Sequence, residues 1–167
     1  QGYQHSKSLH GMFSQIPGLD VIMPTTPYDV KGMLKAAIRS EGPVICFEHR
    51  WLYWQVGEVP NEDYIVDYSS PAQLQSGQDV TFIGSSWMNV EIKMAIETLT
   101  KKHGLSCSHF DIRSSRAIEN LDIILDDIKK TKYCVIADND WLNSGISGEL
   151  SHRLYQNAFS YLNKPIQ

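Results

Sequence analysis

The sequence predicts an α/β fold: mainly parallel strands covered by helices on both faces, arranged as two parts joined by a connection. Three observations carry that expectation. Short, largely apolar runs, Val44-Ile45-Cys46-Phe47, Val80-Thr81-Phe82-Ile83 and Tyr133-Cys134-Val135-Ile136-Ala137, read as strands, the first continuously apolar as in strands buried on both sides. Between such runs lie segments whose apolar residues recur every three or four positions, as along one face of a helix. The two kinds alternate, which is the order that builds parallel sheets through crossover helices.

Taken in order, Ser6 is placed to cap a first helix striped by Leu9, Met12, Phe13 and Ile16 and stopped by Pro17-Gly18. Asp20-Val21-Ile22-Met23 is a strand. Pro24 to Pro27 is a turn, with Thr26 as cap and Pro27 at the first position of a helix striped by Val30, Met33, Leu34, Ala37 and Ile38. Gly42-Pro43 ends it, and Val44–Phe47 is the second strand. Residues 50–78 read as a connection, punctuated by Gly57, Pro60, Asn61, Ser69, Ser70, Pro71 and Gly77, with Tyr64-Ile65-Val66 able to form a short strand. Trp51 and Trp54 there either line a partner surface or pack on the chain's own seam. The expected division is therefore 1–49, 50–78 and 79–167.

The second part is more regular. Asp79–Gly84 is a strand; Met88, Ile92, Ala95, Ile96 and Leu99 stripe a helix that ends in Lys101-Lys102-His103-Gly104, basic residues beside the negative helix end. Leu105–Ile112 is a strand, Leu121, Ile124, Leu125 and Ile128 mark a helix, and Tyr133–Ala137 is a third strand. Ile146, Leu150, Leu154, Ala158 and Leu162 carry a last helix.

At 42% hydrophobic and 20% charged residues the chain can build a core. A net charge of -4 without a Lys/Arg run argues against a nucleic-acid groove or an anionic membrane patch. No apolar run approaches the roughly 20 residues of a membrane span. Cys46, Cys107 and Cys134 each fall in a strand-like run, which suggests reduced, inert thiols and an intracellular compartment rather than a zinc site.

Several short motifs then add a resemblance. Gln4-His5-Ser6, Ile16-Pro17-Gly18-Leu19, Met23-Pro24, Tyr28-Asp29-Val30-Lys31-Gly32, Ala36-Ala37-Ile38-Arg39 and Phe47-Glu48-His49 resemble, in order and spacing, the end of the pyrimidine-binding domain of thiamine-diphosphate-dependent 2-oxoacid dehydrogenases. The likeness is to the beta subunit of the E1 component, pyruvate or branched-chain type. Asp79–Gly84, Asp111-Ile112-Arg113 and Gly145–Leu150 resemble the C-terminal domain of the same transketolase-like family. Asp138-Asn139-Asp140-Trp141 departs from the family's acidic, Gly-rich run. The fold implied is the end of a pyrimidine-binding transketolase-like domain followed by a three-layer α/β/α transketolase C-terminal-like domain.

The resemblance implies oxidative decarboxylation of a 2-oxoacid with acyl transfer to a lipoyl-bearing E2 acyltransferase. Thiamine diphosphate and Mg2+ would be held mainly by an E1 alpha subunit and by segments outside this sequence, beside a second beta subunit. His5 matches the histidine implicated in proton handling, a task suited to an imidazole that titrates near neutrality. A potassium ion would sit on Ala37, Ile38, Ser40 and Gly42. The setting would be cytoplasmic in a bacterium or the mitochondrial matrix in a eukaryote. Both chain ends look cut, as in a fragment or a split gene. Two other readings stay open: a non-catalytic assembly module, and a fragment of a transketolase or deoxyxylulose-phosphate synthase. Elsewhere, His10 is expected off the His5 face, and His49 at a strand end is expected to be structural. His103, His109 and His152 are expected to lack partners, and Asp138 and Asp140 to lie in a solvated loop.

Overall fold

The computed structural model describes residues 2–143 and 145–167. Strands β1 (Asp20–Ile22) and β2 (Val44–Cys46) pair in parallel, Val21 beside Ile45. A short helix α1 (His10–Ser14) precedes them, and α2 (Pro27–Ile38) connects them. The predicted start of α2 is borne out: Thr26 Oγ1 accepts from Asp29 N at 3.1 Å, and Pro27 opens the helix. The predicted start of α1 is not. Ser6 Oγ donates back to the Gly2 carbonyl at 2.8 Å, so the helix begins four residues later, at His10. Leu9, Met12 and Ile16 of its stripe are exposed.

The second sheet has the order β3-β5-β4-β6. Its strands are β3 (Ala72–Gln75), β4 (Val80–Gly84), β5 (Cys107–Asp111) and β6 (Cys134–Ile136). β4 is central and parallel to both β5 and β6, while β3 runs antiparallel to β5. Helix α3 (Trp87–His103) covers one face, burying Phe82, Ile92, Ile96 and Cys107. Helices α4 (Asp122–Thr131) and α5 (Ile146–Ala158) cover the other, with Ile83, Phe110, Ile124, Ile128, Leu150 and Leu154. Neighbours Phe82 and Ile83 thus serve opposite faces, the alternation that a strand imposes. This is the mixed α/β architecture expected.

Two details of the connection differ from expectation. Tyr64–Val66 forms no strand; Val66 and Tyr68 are instead buried against Ile22 and Met33. Gly32 makes room for Val66 and Tyr64, because a Cβ there would collide with both side chains. Residues 72–75, inside the expected connection, supply the edge strand β3. The last helix also stops short of Leu162, passing at Phe159 into a single 3-10 turn.

The two sheets are joined by backbone as well as side chains. Met23 N donates to Arg113 O at 2.6 Å, Ser115 N donates to Val21 O at 2.9 Å, and Ile22 bridges Ser114. Arg113 Nη2 pairs with buried Asp29 at 3.1 Å. Met23 and Phe47 extend into the core of the second sheet. Among the described residues, no helix is long and apolar enough to cross a membrane.

Candidate functional site

A cleft of about 810 Å³ opens at the carboxyl ends of the parallel strands, where open α/β sheets place their ligands. β1 runs out into it through Met23, and β2 through Phe47, Glu48 and His49. The turn after β4 brings Ser86 and Trp87, and the loop after β6 brings Asn139. Residues 5–10 form another wall. His5, the last residue of a 3-10 turn (Tyr3–His5), lines this cleft and is exposed.

The turn from β4 into α3 is tight. Ser86 is held at φ 50°, ψ -130°, a conformation that costs a residue with a Cβ on the order of 1–3 kcal/mol. Its carbonyl accepts from Asn89 N at 3.1 Å and from Thr25 Oγ1 at 3.4 Å. Gly84 lets the helix close over the strand: a Cβ there would stand 3.0 Å from Asn89 Oδ1 and nearer still to Ile92.

Three rings build one side of the cleft. His49 stacks on Trp87 at 5.8 Å and 17°, and Trp51 meets Trp87 edge-on at 5.1 Å. His49 Nδ1 accepts from Trp51 N at 3.3 Å. Burial holds this imidazole below its ordinary pKa, so at neutral pH it is the uncharged tautomer with its proton on Nε2. Trp51 thus touches Trp87 while remaining 56% exposed, and Trp54 is 85% exposed. Lys7 and Arg50 bring positive charge to the cleft, Glu48 and Glu91 negative. Both acids already accept a hydrogen bond, Glu48 from Tyr53 Oη at 3.1 Å and Glu91 from Trp87 Nε1 at 2.9 Å.

The expectations for His10, Asp138 and Asp140 need correction. His10 is 5% exposed, lines the cleft and places Nε2 3.2 Å from Asp138 Oδ1 and 3.6 Å from Asp140 Oδ2. Gly11 N also donates to Asp140 Oδ2 at 3.0 Å. The two aspartates are thus part of a part-buried cluster rather than a solvated loop. Burial raises the Asp138 pKa, but the His10 hydrogen bond and charge, with donors from Asp140 N and Ser147, outweigh it and leave the acid below its ordinary value.

His109 is corrected as well. It is buried, with Nε2 2.9 Å from Asn89 Oδ1, and burial pushes it down to about 4, so it stays neutral. Asn89 Nδ2 donates to Thr25 Oγ1 at 2.9 Å, and Thr25 donates to Asp111 Oδ2 at 3.0 Å. This chain of polar groups runs beneath the cleft, from β5 through α3 to the turn after β1. The thiols are inert as expected: burial raises all three, Cys46 to about 11 and Cys134 to about 12.

Ala37, Ile38, Ser40 and Gly42 stand at the end of α2. The Ala37 carbonyl accepts from Ser40 N at 3.1 Å and from Arg39 N, and Ser40 Oγ accepts from Gly42 N at 3.3 Å. Ile38 is 83% exposed. Among the described residues, no three His, Cys, Asp or Glu side chains are placed to hold a metal ion.

Residues 71–167 match the family described as Transketolase, C-terminal domain, and residues 2–55 match Transketolase, pyrimidine binding domain. The chain is 35% identical to pyruvate dehydrogenase E1 component subunit beta-2, chloroplastic, of Arabidopsis thaliana, over 99% of its own length and 40% of that relative. It is 33% identical to the 2-oxoisovalerate dehydrogenase subunit beta, mitochondrial, of Dictyostelium discoideum, over 99% of its own length and 45% of that relative. It therefore spans less than half the length of these relatives. Among solved structures it resembles a split gene transketolase in an inactive beta4 tetramer, with a TM-score of 0.72 and 19% identity, over 94% of this chain and 49% of the other.

Proposed function

Because the chain belongs to the transketolase family, we propose that it is part of the beta subunit of a thiamine-diphosphate-dependent 2-oxoacid dehydrogenase E1 component. The observation that carries this reading is the cleft at the strand ends with His5 on its rim, in a chain 33% and 35% identical to two such beta subunits. The substrate class is a small 2-oxoacid, and the acceptor is a lipoyl group on an E2 acyltransferase.

The residues present suit one side of such a site. The aromatic wall of His49, Trp51 and Trp87 and the apolar Met23 and Phe47 fit a heteroaromatic ring and a small acyl group. A diphosphate–Mg2+ pair asks for one or two carboxylates and further oxygen ligands, a task this wall is not assigned. We assign that pair to an E1 alpha subunit, facing this cleft in an assembly with a second beta subunit. Thiamine diphosphate, when bound, supplies the electron sink for the decarboxylated substrate. His5 transfers a proton at its imidazole, exposed enough to meet both substrate and an incoming lipoyl group. Arg50 and Lys7 are the cationic groups of the cleft that face the substrate carboxylate, in a lining that also holds Glu48 and Glu91. Met23 and Phe47 keep water from the floor. A potassium ion at Ala37, Ile38, Ser40 and Gly42 would share carbonyls already engaged in the turn, so no step above depends on it.

The test mixes the full-length gene product with its candidate alpha subunit and thiamine diphosphate, and measures CO2 release from pyruvate and from branched-chain 2-oxoacids. Turnover is expected in the mixture, and His5→Ala should lower it by about 10²- to 10⁴-fold. Assembly without turnover would favour a non-catalytic module; turnover indifferent to His5→Ala would remove the role given to His5.

A further inference from the structure

The part-buried cluster of His10, Asp138 and Asp140 is used by no step above, yet it lies against the cleft and joins segments 128 residues apart. We propose that His10 is a positioning residue: its pairing with Asp138 and Asp140 anchors the segment that presents His5. This rests on the reading of His5 just given.

Residues 4–9 make few bonds of their own to the rest of the fold. His5 N and Ser6 Oγ both bond back to the Gly2 carbonyl, and the Leu9 carbonyl accepts from Phe13 N. Most of these residues are exposed. The chain turns inward at His10 and Gly11, the two buried residues of α1. There three polar contacts meet the loop after β6: His10 Nε2 to each aspartate, and Gly11 N to Asp140 Oδ2. The aspartates are braced in turn, since Asp140 N donates to Asp138 Oδ1 at 3.1 Å and Trp141 N to Asp140 Oδ1 at 2.7 Å. Phe47 closes the other side of the imidazole edge-on at 6.3 Å.

This arrangement has the physics of an anchor. A polar pair with side-chain exposures of 6% and 11% loses more when one member is removed than the pair contributes net, because the survivor is left buried and unpaired. Each contact therefore penalises any movement of α1 away from the β6–α5 loop. His5 lies five residues upstream of His10, so a loosened anchor would blur its position over the cleft. An error on the order of 1 Å in a catalytic group lowers turnover by about 10²-fold.

The experiment is a side-chain exchange in the full-length gene product. His10→Asp and Asp138→His are each expected to raise amide hydrogen exchange in residues 2–11 by at least about tenfold, without a comparable rise in β4 or β5. The double variant, which restores opposite partners across the same gap, is expected to bring exchange back to within about threefold of the parent. In the assembled enzyme each single variant should lower kcat by about tenfold or more while KM moves less than about threefold, and the double variant should recover kcat. A merely structural role would lower the folded fraction and leave kcat per folded enzyme and the exchange pattern of residues 2–11 unchanged. Unaltered exchange in both single variants overturns the anchor. Opened exchange with full kcat, in an enzyme that His5→Ala disables, overturns the positioning role. An enzyme indifferent to His5→Ala overturns the parent reading, whatever the exchange shows.

Discussion

Asp111 is a carboxyl whose setting departs far from its chemistry in water. It is fully buried, and burial outweighs the donors from Arg113 N and Asn89 to push its pKa up to about 6. A carboxyl raised in the folded state favours the protonated form. Its contribution to stability is therefore complete below the unfolded value near 4 and is lost as pH rises through about 6. A rise of about two units corresponds to about 3 kcal/mol. The expected result is that the parent loses about that much relative to Asp111→Asn between pH 4 and pH 7, measured by urea unfolding of both proteins across the range; parallel curves would contradict it. None of this is legible in the sequence, where Asp111 stands near the end of the Leu105–Ile112 strand. The partners Thr25 and Asn89 are 86 and 22 residues away along the chain, and Asp111 meets Thr25 only once the fold forms. The His10 cluster was hidden for the same reason, its members being separated by most of the chain.

At the scale of elements, local signals read well where they had a local cause. Thr26-Pro27 announces α2 because a hydroxyl and a ring act on the adjacent turn, and both do so here. Thr26→Ala should lower stability by about 1 kcal/mol in chemical unfolding. Leu154→Ala, in a helix face whose Leu154 side chain is fully buried between α4 and the sheet, should cost about 2–5 kcal/mol in the same assay. Packing outweighs capping, so an order reversed between these variants would contradict the core as drawn. Two elements escaped the sequence for opposite reasons. Ser6 offers a cap that the backbone declines, as its hydroxyl turns back to Gly2. β3 offers only a four-residue alternation, Ala72-Gln73-Leu74-Gln75: the last three are exposed, and the strand is defined by its backbone bonds to β5. An edge strand needs only one side paired, so composition need not betray it.

For the molecule as a whole, the two sheets share a core and a seam of main-chain hydrogen bonds. The sequence showed two sets of elements and a punctuated connection, while their junction depends on contacts between positions 20–25 and 111–116 that no local pattern reports. A junction of that kind predicts cooperative unfolding. Tryptophan fluorescence, to which Trp51 and Trp87 near the cleft contribute, and far-ultraviolet circular dichroism should give one coincident transition in denaturant; two separated midpoints would mean that the halves melt independently.

The bridge between Ile22 and Ser114 has a further consequence for traffic through the cleft. A jaw needs a pivot that yields, and here the pivot is stitched by main-chain bonds on both sides of the bridge. Those bonds resist a hinge between the sheets. Breathing that admits a molecule is expected first in the strip ahead of α1, tied to the loop after β6 through the His10 imidazole and the Gly11 amide.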